Sequence, residues 1–142
     1  MRYWDSSALV PLLVIEDSSP AMERLLAENG AVVSWWGTPI ECVSAVGRRE
    51  RRGSMPAAEV ALASQKLAAI EADWVEVAPS ERVREIARRL VRVHDLRAAG
   101  ALQLAAATTA SDRNETPLPF VTLDDRLALA ASREGFPVLG LD

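Results

Sequence analysis

The segment Tyr3-Trp4-Asp5-Ser6-Ser7-Ala8-Leu9-Val10 predicts a short buried strand that passes directly into a helix, with a carboxylate at the junction. Open α/β sheets bind their ligands at the carboxyl ends of the strands, so Asp5 stands where such proteins place their chemistry. An aspartate before two serines is also a common helix cap. Asp5 alone therefore does not distinguish a functional site from a cap.

Two further acids occupy comparable places far along the chain. Glu41 lies in Thr38-Pro39-Ile40-Glu41-Cys42, and Asp124 lies in Val121-Thr122-Leu123-Asp124-Asp125-Arg126-Leu127. Asp124 has the same capping alternative as Asp5, and a glutamate in a first helical turn is common. The joint occurrence of three acids favours a site for a divalent metal, because Mg²⁺ and Mn²⁺ prefer hard oxygen ligands.

A glycine interrupts an otherwise apolar helical segment late in the chain. The segment is Leu96-Arg97-Ala98-Ala99-Gly100-Ala101-Leu102-Gln103-Leu104-Ala105-Ala106-Ala107. Glycine in a helix interior costs about 1 kcal/mol relative to alanine. Gly100 is therefore the residue that departs most clearly from the local pattern.

Composition places the chain among globular proteins of one domain. Its 142 residues are 49% hydrophobic and 25% charged, and no linker-like stretch divides them, so residues 1–142 are expected to form a single domain. No apolar run is long enough to span a membrane, and no leader pattern begins the chain, so a cytoplasmic protein is expected.

The charge pattern bears on nucleic acid binding. A net charge of −4 argues against a protein that coats nucleic acid without specificity. All but one of the 16 basic residues are arginine, clustered in Arg48-Arg49-Glu50-Arg51-Arg52 and between Arg82 and Arg97. Such clusters are either solvated helix faces or contacts to phosphate, for which arginine offers a bidentate geometry.

Strands and helices are predicted to alternate along the whole chain. Strands are expected over residues 2–5, 31–34, 74–77, 119–122 and 137–139. Helices are expected from residue 6, over 18–29, 38–52 and 54–73, from residue 80 to about 94, and over 96–107 and 125–134. The pattern predicts an α/β protein of three layers, α/β/α, with a mostly parallel sheet of about five short strands; the helices 38–52 and 54–73 are expected to form a hairpin beside the sheet.

Four features in this order resemble the PIN-domain family, and in particular the VapC-type toxins of bacterial toxin–antitoxin pairs. They are the first segment, the helix of Glu41, the Leu-Arg-Ala-Ala-X-Ala-Leu-Gln-Leu-Ala helix, and the Thr-X-Asp-X-Arg-Leu segment at residues 122–127. Together they cover nearly the whole chain. Each motif is weak alone, but four in order are fairly specific.

The resemblance implies a metal-dependent ribonuclease that uses Mg²⁺ or Mn²⁺. By it, Asp5, Glu41 and Asp124 match three acids of the family, and Ser6 and Thr122 match supporting polar residues. Gly100 stands where the family has an aspartate, which implies impaired metal binding and impaired cleavage. The resemblance also implies an RNA substrate, an antitoxin protein as partner, and a homodimer.

Helical geometry adds expectations around the acids. Asp95 lies five residues before Gly100, and on one continuous helix it would be rotated by about 140° and point elsewhere. Arg48 and Arg52 fall within about 20° of the direction of Glu41, and Arg48 is about 10 Å along the axis. Both arginines are therefore predicted to contact RNA phosphates beside the metal.

Two other functions fit parts of the pattern. A PIN-like module could bind RNA or an antitoxin without cutting. A phosphoacceptor receiver domain shares the alternating topology, but it needs paired acids after the first strand and a late lysine. Here Asp5 stands alone, and the only lysine, Lys66, lies within a predicted helix.

Overall fold

The structure, a computed structural model, describes residues 1–141. The strands are β1 (Arg2–Trp4), β2 (Val32–Trp35), β3 (Val75–Val77), β4 (Phe120–Val121) and β5 (Val138–Leu139). The helices are α1 (Ser6–Leu13), α2 (Ser19–Glu28), α3 (Thr38–Arg51), α4 (Ala57–Asp73), α5 (Glu81–Val93), α6 (Ala98–Ala110) and α7 (Asp125–Arg133). Each predicted element is present, although several begin or end a few residues from the predicted boundary.

The five strands form one parallel sheet in the order β3-β2-β1-β4-β5. Tyr3 in the central strand pairs with Val33 on one side and with Phe120 on the other. The chain order reverses between β1 and β4, which makes their carboxyl ends the topological switch point where such sheets bind ligands. This order differs from the 2-1-3-4-5 order typical of receiver domains, so the topology argues against that alternative.

The two faces of the sheet carry separate apolar cores. In β1, Tyr3 faces the core formed with α5, α6 and α7, whereas Trp4 faces the core formed with α1 to α4. Phe120 and Val121 divide in the same way in β4, as the two-residue period of a strand requires. Helices therefore cover both faces, and the predicted α/β/α architecture is confirmed.

Helices α3 and α4 pack against each other and against α1 on one face of the sheet, as expected for the hairpin. Pro39 stands at the start of α3, where a missing N–H costs nothing. This start fixes Glu41 in the first turn of α3, at the carboxyl end of β2. Within residues 1–141, no helix has both the length and the apolar character needed to cross a membrane.

Gly140 holds the edge of the sheet close to the end of β4. Its φ of +113° lies in a region that favours glycine, and a Cβ there would approach the Thr122 carbonyl oxygen to 2.5 Å. The Thr122 N–H in turn donates to the Leu139 carbonyl oxygen at 3.0 Å. These contacts fix the backbone that leads from β4 to Asp124.

Candidate functional site

A pocket of about 600 Å³ opens at the carboxyl ends of β1 and β4. The three predicted acids, Asp5, Glu41 and Asp124, all line it, although they come from three separate parts of the chain. Gly100 lines it as well, together with Gln103. The structure thus brings the predicted acids and the glycine to one cavity.

Asp5 is the most buried of the acids, with an exposed fraction of 3%. It accepts a hydrogen bond from the Ser7 hydroxyl at 2.8 Å, and Ser7 Oγ lies 3.2 Å from Thr122 Oγ1. Burial raises the pKa of Asp5 to about 7, even though the hydrogen bond from Ser7 acts to lower it. Without a cation nearby, Asp5 is therefore close to half protonated at neutral pH.

Thr122 and Ser7 link two of the acids through a chain of hydrogen bonds. Because Ser7 gives its single proton to Asp5, the Thr122 hydroxyl must be the donor to Ser7. The backbone N–H of Asp124 donates to Thr122 Oγ1 at 3.1 Å. Thr122, predicted as a supporting residue, thus lies between Ser7 and the backbone of Asp124, and Ser7 is a contact of Asp5 that sequence reasoning missed.

Glu41 is held by one hydrogen bond on each carboxylate oxygen. The Ser6 hydroxyl donates to Oε1 at 3.0 Å, and the Gln103 amide donates to Oε2 at 2.9 Å. Burial raises the pKa of Glu41, and the hydrogen bonds from Gln103 and Ser6 offset part of that rise. Ser6, predicted as a supporting residue, is thus in direct contact with the Glu41 carboxylate.

Gln103 orients Glu41 because its own amide has only one satisfactory orientation. The Tyr3 hydroxyl donates to Gln103 Oε1 at 2.6 Å, which leaves the NH₂ group to face Glu41 and Thr38. A flipped amide would turn its oxygen towards the Glu41 carboxylate. Gln103 is 1% exposed, so its interactions are shielded from water.

The chain of buried hydrogen bonds continues from Gln103 to the sheet. Ser34 Oγ lies 2.8 Å from the Trp4 carbonyl oxygen and 2.9 Å from Thr38 Oγ1. A carbonyl oxygen can only accept, so Ser34 donates to Trp4 and Thr38 donates to Ser34. Every member is satisfied, which rigidly connects the Glu41 carboxylate to β1 and β2.

Asp124 differs from the other two acids because it is exposed and also caps a helix. Its Oδ1 accepts the Leu127 N–H at 3.0 Å at the start of α7. Asp5 is the residue before α1, but its side chain makes no capping hydrogen bond. The capping role therefore holds for Asp124 and not for Asp5.

The donor chemistry of the pocket fits a hard divalent cation, but the acids do not form a closed cage. Within residues 1–141, no three His, Cys, Asp or Glu side chains are close enough together to hold a metal ion. Each carboxylate is instead occupied by hydrogen bonds from the chain. Mg²⁺ usually keeps several of its waters, so one or two direct carboxylates and water-mediated contacts would suffice in a pocket of this size.

Gly100 lies in the first turn of α6 and not in a helix interior. A Cβ at this position would meet only Leu96 Cδ2 at 3.6 Å and Leu127 Cδ1 at 3.9 Å, which are ordinary contacts. The site therefore has room for a side chain at position 100. An acidic residue is also favourable in the first turn of a helix.

The rotation expected for Asp95 does not apply, because α6 begins at Ala98 and Asp95 precedes it. Asp95 lines the same pocket as the three acids. Its Oδ2 lies 3.6 Å from Nε of Arg126. The expectation that Asp95 points away from the site was wrong because it assumed one continuous helix.

The two predicted RNA-binding arginines occupy different environments. Arg48 lines a shallow depression next to the acidic pocket, shared with Ser6 and Glu41, and donates to Ser44 Oγ at 3.0 Å. Arg52 follows the last residue of α3 and lines neither cavity. The structure therefore places Arg48, but not Arg52, at the edge of the acids.

Comparison with solved structures identifies proteins that have a similar fold. The crystal structure of PAE2754 from Pyrobaculum aerophilum matches 97% of this chain and 89% of that one, with a TM-score of 0.64 and 19% identity. A chain of the toxin–antitoxin complex from Klebsiella pneumoniae matches over 98% of this chain and 96% of that one, with a TM-score of 0.61 and 14% identity. At these identities the likeness establishes a shared fold. No family model and no curated protein sequence matches the chain.

Proposed function

We propose that the chain is the toxin of a toxin–antitoxin pair, a PIN-type ribonuclease that depends on Mg²⁺ or Mn²⁺ and is impaired by Gly100. The observation that carries this proposal is the convergence of Asp5, Glu41 and Asp124 on one pocket at the switch point of the sheet. Carboxylates in such a place match the requirements of metal-assisted phosphodiester hydrolysis. The shared fold with a chain of a toxin–antitoxin complex supports the biological role.

In this proposal Asp5, Glu41 and Asp124 would hold a hydrated metal ion, one or two of them directly and the rest through its waters. When bound, the ion would activate and orient a water molecule and neutralise charge on the phosphate. Gln103 and Ser6 hold the Glu41 carboxylate in place, while Ser7, which is itself contacted by Thr122, holds Asp5. Such supporting hydrogen bonds orient metal ligands and tune their affinity.

The first prediction concerns cleavage by the unmodified chain. We expect slow degradation of RNA in millimolar Mn²⁺, because three acids remain in the pocket although the fourth position has no side chain. Excess EDTA should stop the reaction, and Glu41→Gln should remove it while leaving the fold intact. Cleavage that persists at the same rate in EDTA would contradict the proposal, as would full activity of Glu41→Gln.

A second prediction separates Arg48 from Arg52. Arg48 stands beside the acids, so Arg48→Gln should weaken binding of single-stranded RNA and lower its salt slope by about 0.7, the effect of one lost phosphate contact. Arg52→Gln changes the charge equally but lies outside both cavities, and it serves as the matched control. Fluorescence anisotropy across a salt series measures both. Equal effects of the two variants would show that Arg48 makes no specific contact with RNA beside the acidic pocket.

The third prediction concerns partners. We propose a homodimer whose acidic pocket accepts an antitoxin segment that carries an arginine, because a carboxylate cluster favours a bidentate cation. The antitoxin segment should then compete with Mn²⁺ for the pocket. Light scattering at tens of micromolar protein tests the dimer, and a strict monomer would overturn it.

A non-catalytic binding module is the second candidate, and the absence of a side chain at Gly100 favours it. In that case the pocket would bind RNA or an antitoxin and no metal would produce cleavage. Restoring the acid with Gly100→Asp distinguishes the two, because it should rescue an impaired nuclease but not a module that has no other catalytic machinery.

A further inference from the structure

The arginines of α5 fall into two groups when their partners are considered. Three of them pair with carboxylates: Arg82 with Asp112 at 2.6 Å, Arg84 with Glu81 at 2.8 Å, and Arg89 with Glu134. Arg88 and Arg92 are exposed and pair with no carboxylate within residues 1–141. The unpaired charges lie four residues apart, hence on one face of the helix and about 6 Å apart along its axis.

These two side chains border an open groove of about 390 Å³, whose other lining residues are Arg89 and Val93. Three of the four residues that line the groove are therefore arginines, whose aliphatic stems contribute to its walls, and the fourth is apolar. Positive charge near a helix carboxyl end stabilises the helix by about 0.3 to 1 kcal/mol per residue, and this would explain a single arginine there. It does not explain why Arg88 and Arg92 border a common groove without any carboxylate to pair with.

The residues that line the groove are followed closely in the sequence by residues that line the acidic pocket. After α5 ends at Val93, the residues Asp95, Leu96 and Arg97 line the acidic pocket. Three residues span at most about 11 Å, so the Cα atom of Arg92 lies within that distance of the Cα atom of Asp95. A strand that leaves the pocket over this rim comes within reach of the Arg92 side chain.

We infer that Arg88 and Arg92 form an exit track for the phosphate backbone of an RNA strand whose scissile bond lies in the acidic pocket. This inference rests on the proposed function. Two features favour phosphate: the chain runs from the end of α5 directly into residues that line the acidic pocket, and the guanidinium forks match phosphate oxygens. An acidic peptide would be expected to use apolar anchor sites as well, and only Val93 offers one in the groove.

The track is expected to contribute affinity without sequence preference. Contacts to phosphate fix register and orientation, whereas sequence is read through the bases. Together with Arg48 beside Glu41, the track gives the acidic pocket positive charge both near α3 and near α5. The net charge of −4 remains compatible with RNA binding because the positive charge is local.

The test is binding of a fluorescein-labelled decauridylate to the full chain in EDTA, measured by anisotropy over a series of salt concentrations. The variant is Arg88→Gln combined with Arg92→Gln, since glutamine keeps helix propensity at these exposed positions. The control is Arg24→Gln combined with Arg113→Gln, which removes the same charge from exposed arginines outside the groove and the pocket. Circular dichroism verifies that both variants fold.

We expect the α5 variant to bind about tenfold more weakly near 0.1 M salt, with a salt slope lower by roughly 1.4, as for two lost contacts to a single strand. The control should bind like the unmodified chain. Equal weakening of both variants would overturn the track and leave the proposed function standing. If the unmodified chain bound no RNA, the proposed function would fall as well. Arginine-dependent binding of a decaglutamate peptide in place of RNA would overturn the track in favour of an acidic protein partner.

Discussion

Gly100→Asp is expected to bind Mn²⁺ more than about tenfold more tightly than the unmodified chain, and to cleave RNA on the order of a hundredfold faster. The substitution adds a carboxylate to a pocket that already holds Asp5, Glu41 and Asp124. The structure has room for it, because a Cβ at position 100 makes only ordinary contacts with Leu96 and Leu127. Calorimetric titration with Mn²⁺ and a gel assay of RNA cleavage measure the two effects.

The same substitution has opposing effects on stability in the absence of metal. Replacing glycine removes a helix penalty, and an acid in the first turn of α6 is favourable, but a fourth carboxylate repels the other three. Bound metal relieves the repulsion, so Mn²⁺ should raise the melting temperature more for Gly100→Asp than for the unmodified chain. Gly100→Asn is the matched control, since it has the same shape without the charge. Equal metal affinity in all three proteins would show that position 100 is not a ligand position.

Asp5→Asn is expected to abolish cleavage in the Gly100→Asp background while stabilising the metal-free protein near pH 8. Asparagine retains an acceptor for the Ser7 hydroxyl but removes a buried negative charge. The activity is lost because the proposed metal loses its most buried ligand. Binding of RNA without metal should stay the same or become tighter, since a charge that repels phosphate is gone.

The stability effect follows from the pKa of Asp5, which burial raises from an ordinary value of 3.8 to about 7. Between these two pH values the folded protein binds more protons than the unfolded chain. The contribution of Asp5 to the free energy of unfolding is therefore fully present below about pH 4, and it is lost as the pH rises through 7. The difference corresponds to roughly 4 kcal/mol at most. Urea unfolding in EDTA should therefore show lower stability near pH 8 than near pH 5, and Asp5→Asn should remove most of that difference. Asp17→Asn, at an exposed position, is the control, and the same pH dependence in both variants would rule out Asp5 as its source.

The sequence was sufficient to predict the order of the secondary-structure elements and the convergence of the three acids. Local periodicity in the sequence identifies strands and helices. Because parallel strands separated by helices are compatible with only a few architectures, the three α/β/α layers could be predicted. The same reasoning placed Asp5 and Asp124 at strand ends and Glu41 in a first helical turn. Because the carboxyl ends of parallel strands meet at one edge, the convergence of these acids was predictable without coordinates.

Three other features depended on contacts between residues far apart in the chain. Gln103 looked like one polar residue in an apolar helix, and only packing showed that Tyr3 fixes its amide against Glu41. Asp95 was assigned to the wrong side because a helical rotation was applied to it, whereas α6 begins only at Ala98. Only the structure shows which arginines of α5 are paired, because the partners Asp112 and Glu134 are 30 and 45 residues away in sequence from the arginines they bind.

The division between what the sequence determined and what the tertiary structure decided has a physical basis. Because hydrophobic periodicity and helix capping involve residues only a few positions apart, they can be recognised in the sequence alone. The orientation of an amide, the burial that raises the pKa of Asp5, and the pairing of an arginine depend on which atoms fill the surrounding space. Those neighbours come from distant parts of the chain, so only the folded structure brings them together.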